Sequence, residues 1–311
     1  MHIVLAAVRG FAERFPDAAL FLVENNIQVI AVDALAEMTQ EEKAKVFPEV
    51  NVLWVAAEIC NRQLLSQFPK LELVCKMGSG MDNIDLDWCS GQGIEVVNSR
   101  GCNANAVAEM TLLLILSSLR RLPHLREIAA SGAWAERFAG EELRGKTVGL
   151  LGFGTIARRV AALMAPFSVC ILAFDPYMDY DAAALLQVQP VSFDTLIQEA
   201  DVLSLHLPAS KDNFKMVNRQ FLSKMKDRAV FINCARGSLV DETALYEALA
   251  CGKLSAAGID VWNEEPLSPG NPLFSLRNFI GTPHEAGMTR ESIYADSMTV
   301  ARRIAAFFSR A

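Results

Sequence analysis

Short runs of β-branched and aliphatic residues alternate with amphipathic stretches along nearly the whole chain. In the N-terminal part these runs predict strands at residues 2–8, 27–32, 50–55, 71–76 and 94–97. Amphipathic stretches such as 11–24 and 61–68 lie between the strands and predict helices. Strands that alternate with helices are typical of parallel sheets with helices on both faces.

An apolar stretch at residues 105–122 contains no helix breaker and predicts a long, mostly buried helix. Packing in a core and burial in an oligomer interface are both consistent with this pattern. The alternation then resumes and predicts strands at 146–151, 169–174, 202–205, 229–233, 256–260 and 279–281, followed by one amphipathic helix at 291–308. The pattern therefore predicts an α/β protein with two doubly wound parallel-sheet domains.

The composition agrees with a globular protein of two domains. The 311 residues are 52% hydrophobic and 21% charged, which supports large cores and excludes intrinsic disorder. The 29 basic and 36 acidic residues give a net charge of −7, which argues against nucleic acid as a partner. We expect no membrane span, because no segment approaches the ~18 uninterrupted apolar residues that it needs. Residues 2–8 follow no cationic segment, so they predict a first strand and not a signal peptide.

The cysteine pattern indicates a reducing, cytoplasmic location. The seven cysteines are odd in number, include no C-x-x-C pair and lie mostly in apolar runs. We therefore expect reduced, buried thiols, with neither a zinc site nor a disulfide framework.

A glycine-rich loop follows the predicted strand at 146–151. Its sequence, Gly152-Phe-Gly154-Thr-Ile-Ala157, has the pattern G-x-G-x-x-A and opens a predicted helix at 157–165. Gly152 permits a tight turn, Gly154 permits close approach of a pyrophosphate, and Ala157 permits close packing of helix on strand. Taken alone, such a run of small residues also fits a plain tight turn, but its place between a predicted strand and a predicted helix favours a dinucleotide site.

An aspartate ends the next predicted strand at the spacing that such a site requires. Asp175 can accept hydrogen bonds from the adenosine ribose hydroxyls and would repel a 2′-phosphate. It is followed by Pro176, Tyr177 and Met178 and by no basic residue. The sequence therefore favours NAD over NADP, although an aspartate before proline is also a common turn residue.

Polar residues follow several predicted strands at their carboxyl ends. His206 follows the strand at 202–205, Arg236 and Gly237 follow 229–233, Glu265 follows 256–260, and His284 follows 279–281. Carboxyl ends of parallel strands face the ligand crevice, so His206 either lines the cofactor or packs as a structural histidine. Arginine, glutamate and histidine at three strand ends beside a dinucleotide loop predict a catalytic site.

The chemistry explains the combination of residue types. Hydride loss from a hydroxyl carbon needs a base for the hydroxyl proton, and histidine can serve as base or acid near neutral pH. A carboxylate bonded to the imidazole fixes its tautomer and favours the imidazolium. An arginine can bind a substrate carboxylate through paired hydrogen bonds.

Together these motifs resemble the D-isomer-specific 2-hydroxyacid dehydrogenase family, and within it most closely the D-3-phosphoglycerate dehydrogenases. The resemblance covers nearly the whole chain and is carried by the glycine loop and by residues 76–85, 98–109, 233–237, 265–266 and 282–284. It implies that His284 is the general acid and base, that Glu265 orients it and that Arg236 binds the substrate. It also implies a substrate site at Lys76, Ser79 and Gly80, with backbone N–H groups of the 78–80 loop binding the carboxylate.

The resemblance also implies the domain organisation and the cofactor contacts. A Rossmann cofactor domain at 99–288 would be inserted in a flavodoxin-like substrate domain at 1–98 plus 289–311, with a hinge at the two crossings. A homodimer would form through the cofactor domain, which suits the helix at 105–122. The expected NAD contacts are Gly152, Gly154, Thr155, Ile156, Asp175, His206, Pro208, Cys234, Asp260 and Val107.

Several departures from the family pattern concern the substrate. Lys76 stands where phosphoglycerate enzymes usually carry arginine, and residues 54–57 offer no basic side chain for a phosphate. The sequence ends at Ala311, without the regulatory C-terminal domain of many such enzymes. Hydroxypyruvate, glyoxylate or another small 2-keto acid is therefore as compatible as a phosphorylated substrate.

Two other members of the same fold class are alternatives. Formate dehydrogenases pair the histidine with glutamine, and Glu265 counts against that assignment. A corepressor-like protein that binds NAD(H) as a sensor would retain the same three residues, and it remains the alternative function.

Overall fold

The chain folds into two compact units. The computed structural model describes residues 2–134 and 139–310. Unit 1 comprises Met1–Asn103 with Met288–Ala311, and unit 2 comprises Ala104–Gly287. The units thus divide at 103/104 and 287/288, and the family resemblance implied domain boundaries at about 98/99 and 288/289.

The strands are short and mostly apolar. In chain order they are β1 (His2–Ala7), β2 (Ile27–Val32), β3 (Val52–Val55), β4 (Leu73–Lys76), β5 (Glu95–Asn98), β6 (Thr147–Leu151), β7 (Cys170–Phe174), β8 (Gln189–Pro190), β9 (Val202–Leu205), β10 (Ala229–Asn233), β11 (Leu254–Ile259) and β12 (Phe279–Gly281).

Helices lie between most of the strands. They are α1 (Phe11–Arg14), α2 (Pro16–Glu24), α3 (Gln40–Val46), α4 (Arg62–Leu65), α5 (Leu86–Gln92), α6 (Ala104–Arg120), α7 (Leu122–Ser131), α8 (Thr155–Met164), α9 (Tyr180–Leu185), α10 (Phe193–Glu199), α11 (Arg219–Lys224), α12 (Glu242–Ala250) and α13 (Arg290–Phe308).

Unit 1 contains a parallel sheet in the order β2-β1-β3-β4-β5. This is the strand order of flavodoxin-like folds. In the register, Leu5 of β1 lies opposite Leu53 of β3, and both are fully buried. Trp54 and Leu53 are adjacent in β3 and pack in the cores on opposite faces of the sheet, as alternation along a strand requires.

Unit 2 contains a parallel sheet in the order β8-β7-β6-β9-β10-β11-β12. Counted from β6, its first six strands follow the 3-2-1-4-5-6 order of the Rossmann fold. The order reverses between β6 and β9, where the carboxyl ends open the ligand crevice of such sheets. The prediction of two doubly wound parallel sheets is confirmed.

The central strands of unit 2 are buried along their whole length. Every residue of β9, β10 and β11 is buried. Helices cover both faces of the sheet, and α6 and α8 share one face while α10, α11 and α12 share the other. A strand buried on both faces has a continuous apolar sequence, which is why periodicity located these strands well.

The structure corrects several expected elements. The helix expected at 11–24 is two helices, because Pro16 begins α2 and Phe15 before it is not helical. The helix expected at 105–122 ends at Arg120, and Arg121 adopts a left-handed conformation with φ 46° before α7 begins. The short strand β8 was not predicted. Cys170 and Cys251 are exposed, contrary to the expectation that the thiols are buried.

Within the described ranges, no helix combines the length and apolar character that crossing a membrane demands.

Candidate active site

The glycine loop joins the carboxyl end of β6 to the start of α8. Gly152 has φ +97°, and a Cβ added there would lie 2.6 Å from the carbonyl oxygen of His206, so this position requires glycine. A Cβ added at Gly154 would meet no atom within 4 Å, so space is open above the loop. Helix α8 begins at Thr155 without a side-chain cap. Its N-terminal N–H groups therefore suit an anion such as a pyrophosphate.

Asp175 and His206 flank this loop. The Asp175 carboxylate accepts the Phe153 N–H at 2.7 Å and the Tyr177 N–H at 2.8 Å, which ties the end of β7 to the glycine loop. His206 donates its backbone N–H to Leu151 at 2.7 Å. Burial lowers the pKa of His206 to about 4, so its imidazole is neutral at neutral pH. Its Nε2 is buried and bonds to no described residue. The open glycine loop and this unmatched nitrogen fit a bound dinucleotide.

The other expected cofactor residues occupy different environments. Thr155 and Pro208 are exposed and Ile156 is half-buried. The side chains of Val107 and Cys234 lie in the hydrophobic core between α6 and the sheet. Burial raises the pKa of Cys234 to about 12, so it remains a thiol.

His284 and Glu265 form the central ion pair of the site. His284 Nδ1 lies 2.7 Å from Glu265 Oε2, and the side chains are 50% and 37% exposed. Glu265 Oε1 accepts the backbone N–H of Trp262 at 2.9 Å. The Trp262 indole N–H in turn donates to the carbonyl oxygen of Thr282 at 2.9 Å. Trp262 thus connects the loop after β11 with the loop after β12.

Asp260, expected among the cofactor contacts, anchors the loop that carries His284. Its side chain is fully buried. Its carboxylate accepts the Thr282 hydroxyl at 2.5 Å and the N–H groups of Glu285 and Ala286, each at 2.9 Å. Its carbonyl oxygen accepts the N–H of His284 at 2.8 Å. Three consecutive N–H groups therefore converge on one residue and hold His284 in its left-handed conformation, with φ 57°.

Arg236 lies close enough to influence both members of the pair. Asn233, fully buried at the end of β10, shapes its turn by donating to the Arg236 carbonyl at 2.9 Å and accepting the Ala235 N–H at 2.9 Å. A Cβ added at Gly237 would lie 1.9 Å from the carbonyl carbon of Trp262. Glycine at 237 therefore lets the turn after β10 contact the backbone of the turn after β11.

The charges of the site favour a protonated histidine. The hydrogen bond that His284 donates to Glu265 raises the pKa of His284 above its ordinary 6.5. The charges of Glu265 and Asp260 also raise it, whereas burial and the charge of Arg236 lower it. Burial alone would raise the pKa of Glu265. Its hydrogen bonds with His284 and the Trp262 N–H, together with the charges of His284 and Arg236, bring that pKa below its ordinary value. The pair can therefore hold a proton on the imidazole near neutral pH.

The loop after β4 in unit 1 carries the expected substrate residues. Gly78 donates its N–H to the buried Ser99 hydroxyl at 2.7 Å, so this N–H is not available to a ligand, contrary to expectation. The N–H groups of Ser79 and Gly80 make no hydrogen bond with any described residue. Asn98 donates to the Ser79 carbonyl at 2.9 Å, and Lys76 donates to the Met77 carbonyl at 2.6 Å.

Several residues that build these loops had no role predicted from the sequence. Trp262, Thr282 and Ser99 do so through hydrogen bonds to residues about 20 positions away in the chain. Asn233 does so through bonds to Ala235 and Arg236 within its own turn. Their position at or just after a strand end could have indicated such a role, but it does not identify the hydrogen-bond partner.

The fold and the site define a dinucleotide-binding α/β protein with a candidate acid–base pair. Residues 112–286 match the family model described as D-isomer specific 2-hydroxyacid dehydrogenase, NAD binding domain. The chain belongs to this family, as its motifs predicted.

Similar proteins support the assignment. The chain is 35% identical over 277 residues to D-3-phosphoglycerate dehydrogenase of Archaeoglobus fulgidus, covering 88% of this chain and 53% of that protein. It is 37% identical to hydroxypyruvate reductase of Thermotoga maritima, covering 82% and 84%. The structure of Aquifex aeolicus D-lactate dehydrogenase with NAD and lactic acid matches with a TM-score of 0.87 and 27% identity over 99% and 96% of the two chains. The chain spans about half the length of the phosphoglycerate dehydrogenases that it matches.

The contact at Gly237 can be tested by substitution. Gly237→Ala would place a methyl group 1.9 Å from the Trp262 backbone, so we expect a loss of about 1–3 kcal/mol of stability and a clearly lower Tm. Gly154→Ala is the matched control, because space is open there and its φ of −77° suits alanine. Thermal unfolding of both variants gives the comparison, and equal Tm values would contradict the close contact.

Proposed function

We propose that this protein is an NAD-dependent dehydrogenase that interconverts a small 2-keto acid and the D-2-hydroxy acid. The observation that carries this proposal is the His284–Glu265 pair, 2.7 Å apart and within the influence of Arg236. These residues lie in the part of the chain that matches the family's NAD-binding domain. Unit 2 is accordingly the cofactor domain and unit 1 the substrate domain.

The acid–base chemistry follows from which nitrogen of His284 is engaged. Nδ1 bonds to Glu265, so Nε2 is the nitrogen that donates a proton to the substrate carbonyl oxygen. In the opposite direction the same nitrogen accepts the hydroxyl proton. Glu265 fixes the ring orientation and stabilises the imidazolium. The nicotinamide supplies or accepts the hydride when it is bound.

Substrate binding uses cations and free N–H groups. Arg236 has the planar guanidinium that binds a carboxylate through two parallel hydrogen bonds. Within unit 1, the N–H groups of Ser79 and Gly80 and the ammonium group of Lys76 at the end of β4 would bind a carboxylate. The absence of basic side chains from residues 54–57 favours an unphosphorylated acid of the hydroxypyruvate or glyoxylate class. Hydroxypyruvate reductase of T. maritima and glyoxylate reductase of Aeropyrum pernix are similar proteins.

Cofactor binding uses the open loop of unit 2. Gly152, Gly154 and the N-terminus of α8 would hold the pyrophosphate, and Asp175 would accept hydrogen bonds from the ribose hydroxyls. The negative charge of Asp175 opposes a 2′-phosphate, so the proposed cofactor is NAD.

The assembly is proposed to be a cytoplasmic homodimer with no nucleic-acid or membrane partner. Leu113 of α6 and Leu122 of α7 are each 52% exposed, and a second copy would cover such apolar side chains.

Turnover and His284 are tested together. We expect the purified protein to oxidise NADH with hydroxypyruvate or glyoxylate in preference to 3-phosphohydroxypyruvate, pyruvate and 2-oxoglutarate. The measurement is the loss of NADH absorbance. His284→Asn should lower kcat about 100-fold or more, the usual contribution of a general acid, while NADH binding measured by fluorescence persists. Asparagine is chosen because it tolerates the positive φ at 284.

Three outcomes would change the assignment. Turnover retained in His284→Asn would remove His284 from the reaction. A preference for the phosphorylated acid would overturn the substrate class. NADH binding with no turnover on any acid would favour the NAD(H)-sensing alternative.

The pH dependence follows from the raised pKa of His284. Reduction requires the imidazolium, so we expect kcat/KM for reduction to be maximal at low pH. It should fall as the pH rises through the pKa of His284, which lies above 6.5. Glu265→Gln removes the main cause of the raised pKa, so this fall should move to lower pH. Glu264→Gln is the control, since its exposed carboxylate bonds only locally to Ser268. A profile that does not move in Glu265→Gln would contradict the role of the pair.

Cofactor choice tests Asp175. We expect Asp175→Asn to raise KM for NADH about tenfold, through loss of a charge-assisted hydrogen bond, and to bring the NADH and NADPH rates closer together. Asp181→Asn is the control, because Asp181 is an exposed carboxylate in the first turn of α9. An unchanged ratio of the NADH rate to the NADPH rate would show that Asp175 only stabilises its turn and does not select the cofactor.

A further inference from the structure

Helix α12 presents a carboxylate to the loop that carries Glu265. Glu242, the first residue of α12, follows the N-cap Asp241, where acidic residues ordinarily stabilise the helix dipole. Its carboxylate does more than that. Oε1 accepts the backbone N–H of Asn263 at 2.9 Å and the Asn263 side-chain amide at 3.0 Å. Oε2 accepts the side-chain amide of Asn271 at 3.0 Å.

These bonds hold the loop at both of its ends. Asn263 begins the loop, and its amide also donates to the Val240 carbonyl at 3.0 Å. Asn271 lies at the far end and caps the following 3₁₀ turn by accepting the Leu273 N–H at 3.0 Å. Glu265 lies between them. One carboxylate on a helix therefore fixes both ends of the segment from which Glu265 reaches His284.

The bonded peptide group is also the one that meets Gly237. The hypothetical Cβ of Gly237 would lie 1.9 Å from the Trp262 carbonyl carbon and 2.6 Å from Asn263 N. The Asn263 N–H therefore donates to Glu242 from the same peptide bond that packs on the turn of Arg236. The neighbouring N–H, that of Trp262, donates to Glu265 itself.

We propose that Glu242 is a positioning residue for the reaction, which acts through the 262–271 loop to align Glu265 with His284 and to seat the Arg236 turn. The inference rests on the proposed function for its catalytic consequence. Its structural consequence, the alignment of Glu265 on His284, is measurable without any substrate.

The test replaces Glu242 by a side chain of the same shape. In Glu242→Gln one acceptor oxygen becomes an amide donor, so the donors of Asn263 and Asn271 cannot both be matched. An NMR pH titration of the imidazoles measures the pKa of His284, which depends on its bond with Glu265. The signal of His284 is assigned among the four histidines by its loss in the spectrum of His284→Asn. The charged groups facing His284 are Glu265, Asp260 and Arg236, and Glu242→Gln leaves all three in the chain.

We expect the pKa of His284 to fall in Glu242→Gln, in the direction expected for Glu265→Gln. We expect kcat/KM for the keto acid to fall about tenfold, with the Kd for NADH unchanged. Glu247→Gln is the matched control, because Glu247 lies on the same helix and pairs with Arg219 instead of the loop. It should match the wild type in every measurement.

A second variant approaches the same contacts from the loop. Asn263→Ala removes the side-chain bond to Glu242 and keeps the backbone bond, so it should lower the pKa of His284 by less than Glu242→Gln. If Glu242→Gln does not fold, Asn263→Ala alone tests the inference. A wild-type pKa of His284 in the folded variants would overturn the inference. Lack of turnover by the wild type would overturn the proposed function and leave the titration result standing.

Discussion

The geometry of the loops that carry the candidate residues Arg236, Glu265 and His284 depends on the fully buried carboxylate of Asp260. A buried charge is tolerated only when its oxygens are well matched by donors, and here the donors come from the loop after β12. The fold can therefore bury Asp260 only if that loop wraps around it. Wrapping in turn holds His284 in a conformation that a non-glycine residue rarely adopts. The same carboxylate then contributes its charge to the proton affinity of His284.

The order of the strands brings the three candidate catalytic side chains together. β10, β11 and β12 are neighbours in the sheet, and Arg236, Glu265 and His284 follow them in that order. A different residue fixes the turn at each strand end. The buried Asn233 shapes the turn after β10, Glu242 on α12 binds the loop after β11, and Asp260 accepts hydrogen bonds from the loop after β12. Contact between the first two turns is close enough to require glycine at 237. The site is thus assembled by contacts between loops, on strands whose burial sets their positions.

The sequence predicted every strand of the two sheets except β8, together with the glycine loop and the strand ends that carry Arg236, Glu265 and His284. These features are local, because apolar runs and small-residue spacing are visible within a short window. The break at Pro16 was also visible locally, but the amphipathic pattern of residues 11–24 outweighed it. The bonds of Asp260, of the Trp262 indole and of Glu242 could not be predicted, since each joins residues about 20 or more positions apart and needs the folded sheet to define its partner. The same holds for Gly78, whose N–H is occupied by Ser99 from the end of β5.

In the proposed function, the balance of charges around His284 would couple proton transfer to anion binding. Glu265 and Asp260 favour the imidazolium, and Arg236 opposes it. A substrate carboxylate bound to Arg236 would offset that positive charge, because an anion beside the guanidinium weakens its effect on neighbouring groups. The imidazolium would then be more stable with the keto acid bound than without it. In the proposed reduction, His284 would therefore be most fully protonated when the carbonyl oxygen that takes its proton is present. This gives a physical reason for the arginine to lie beside the pair.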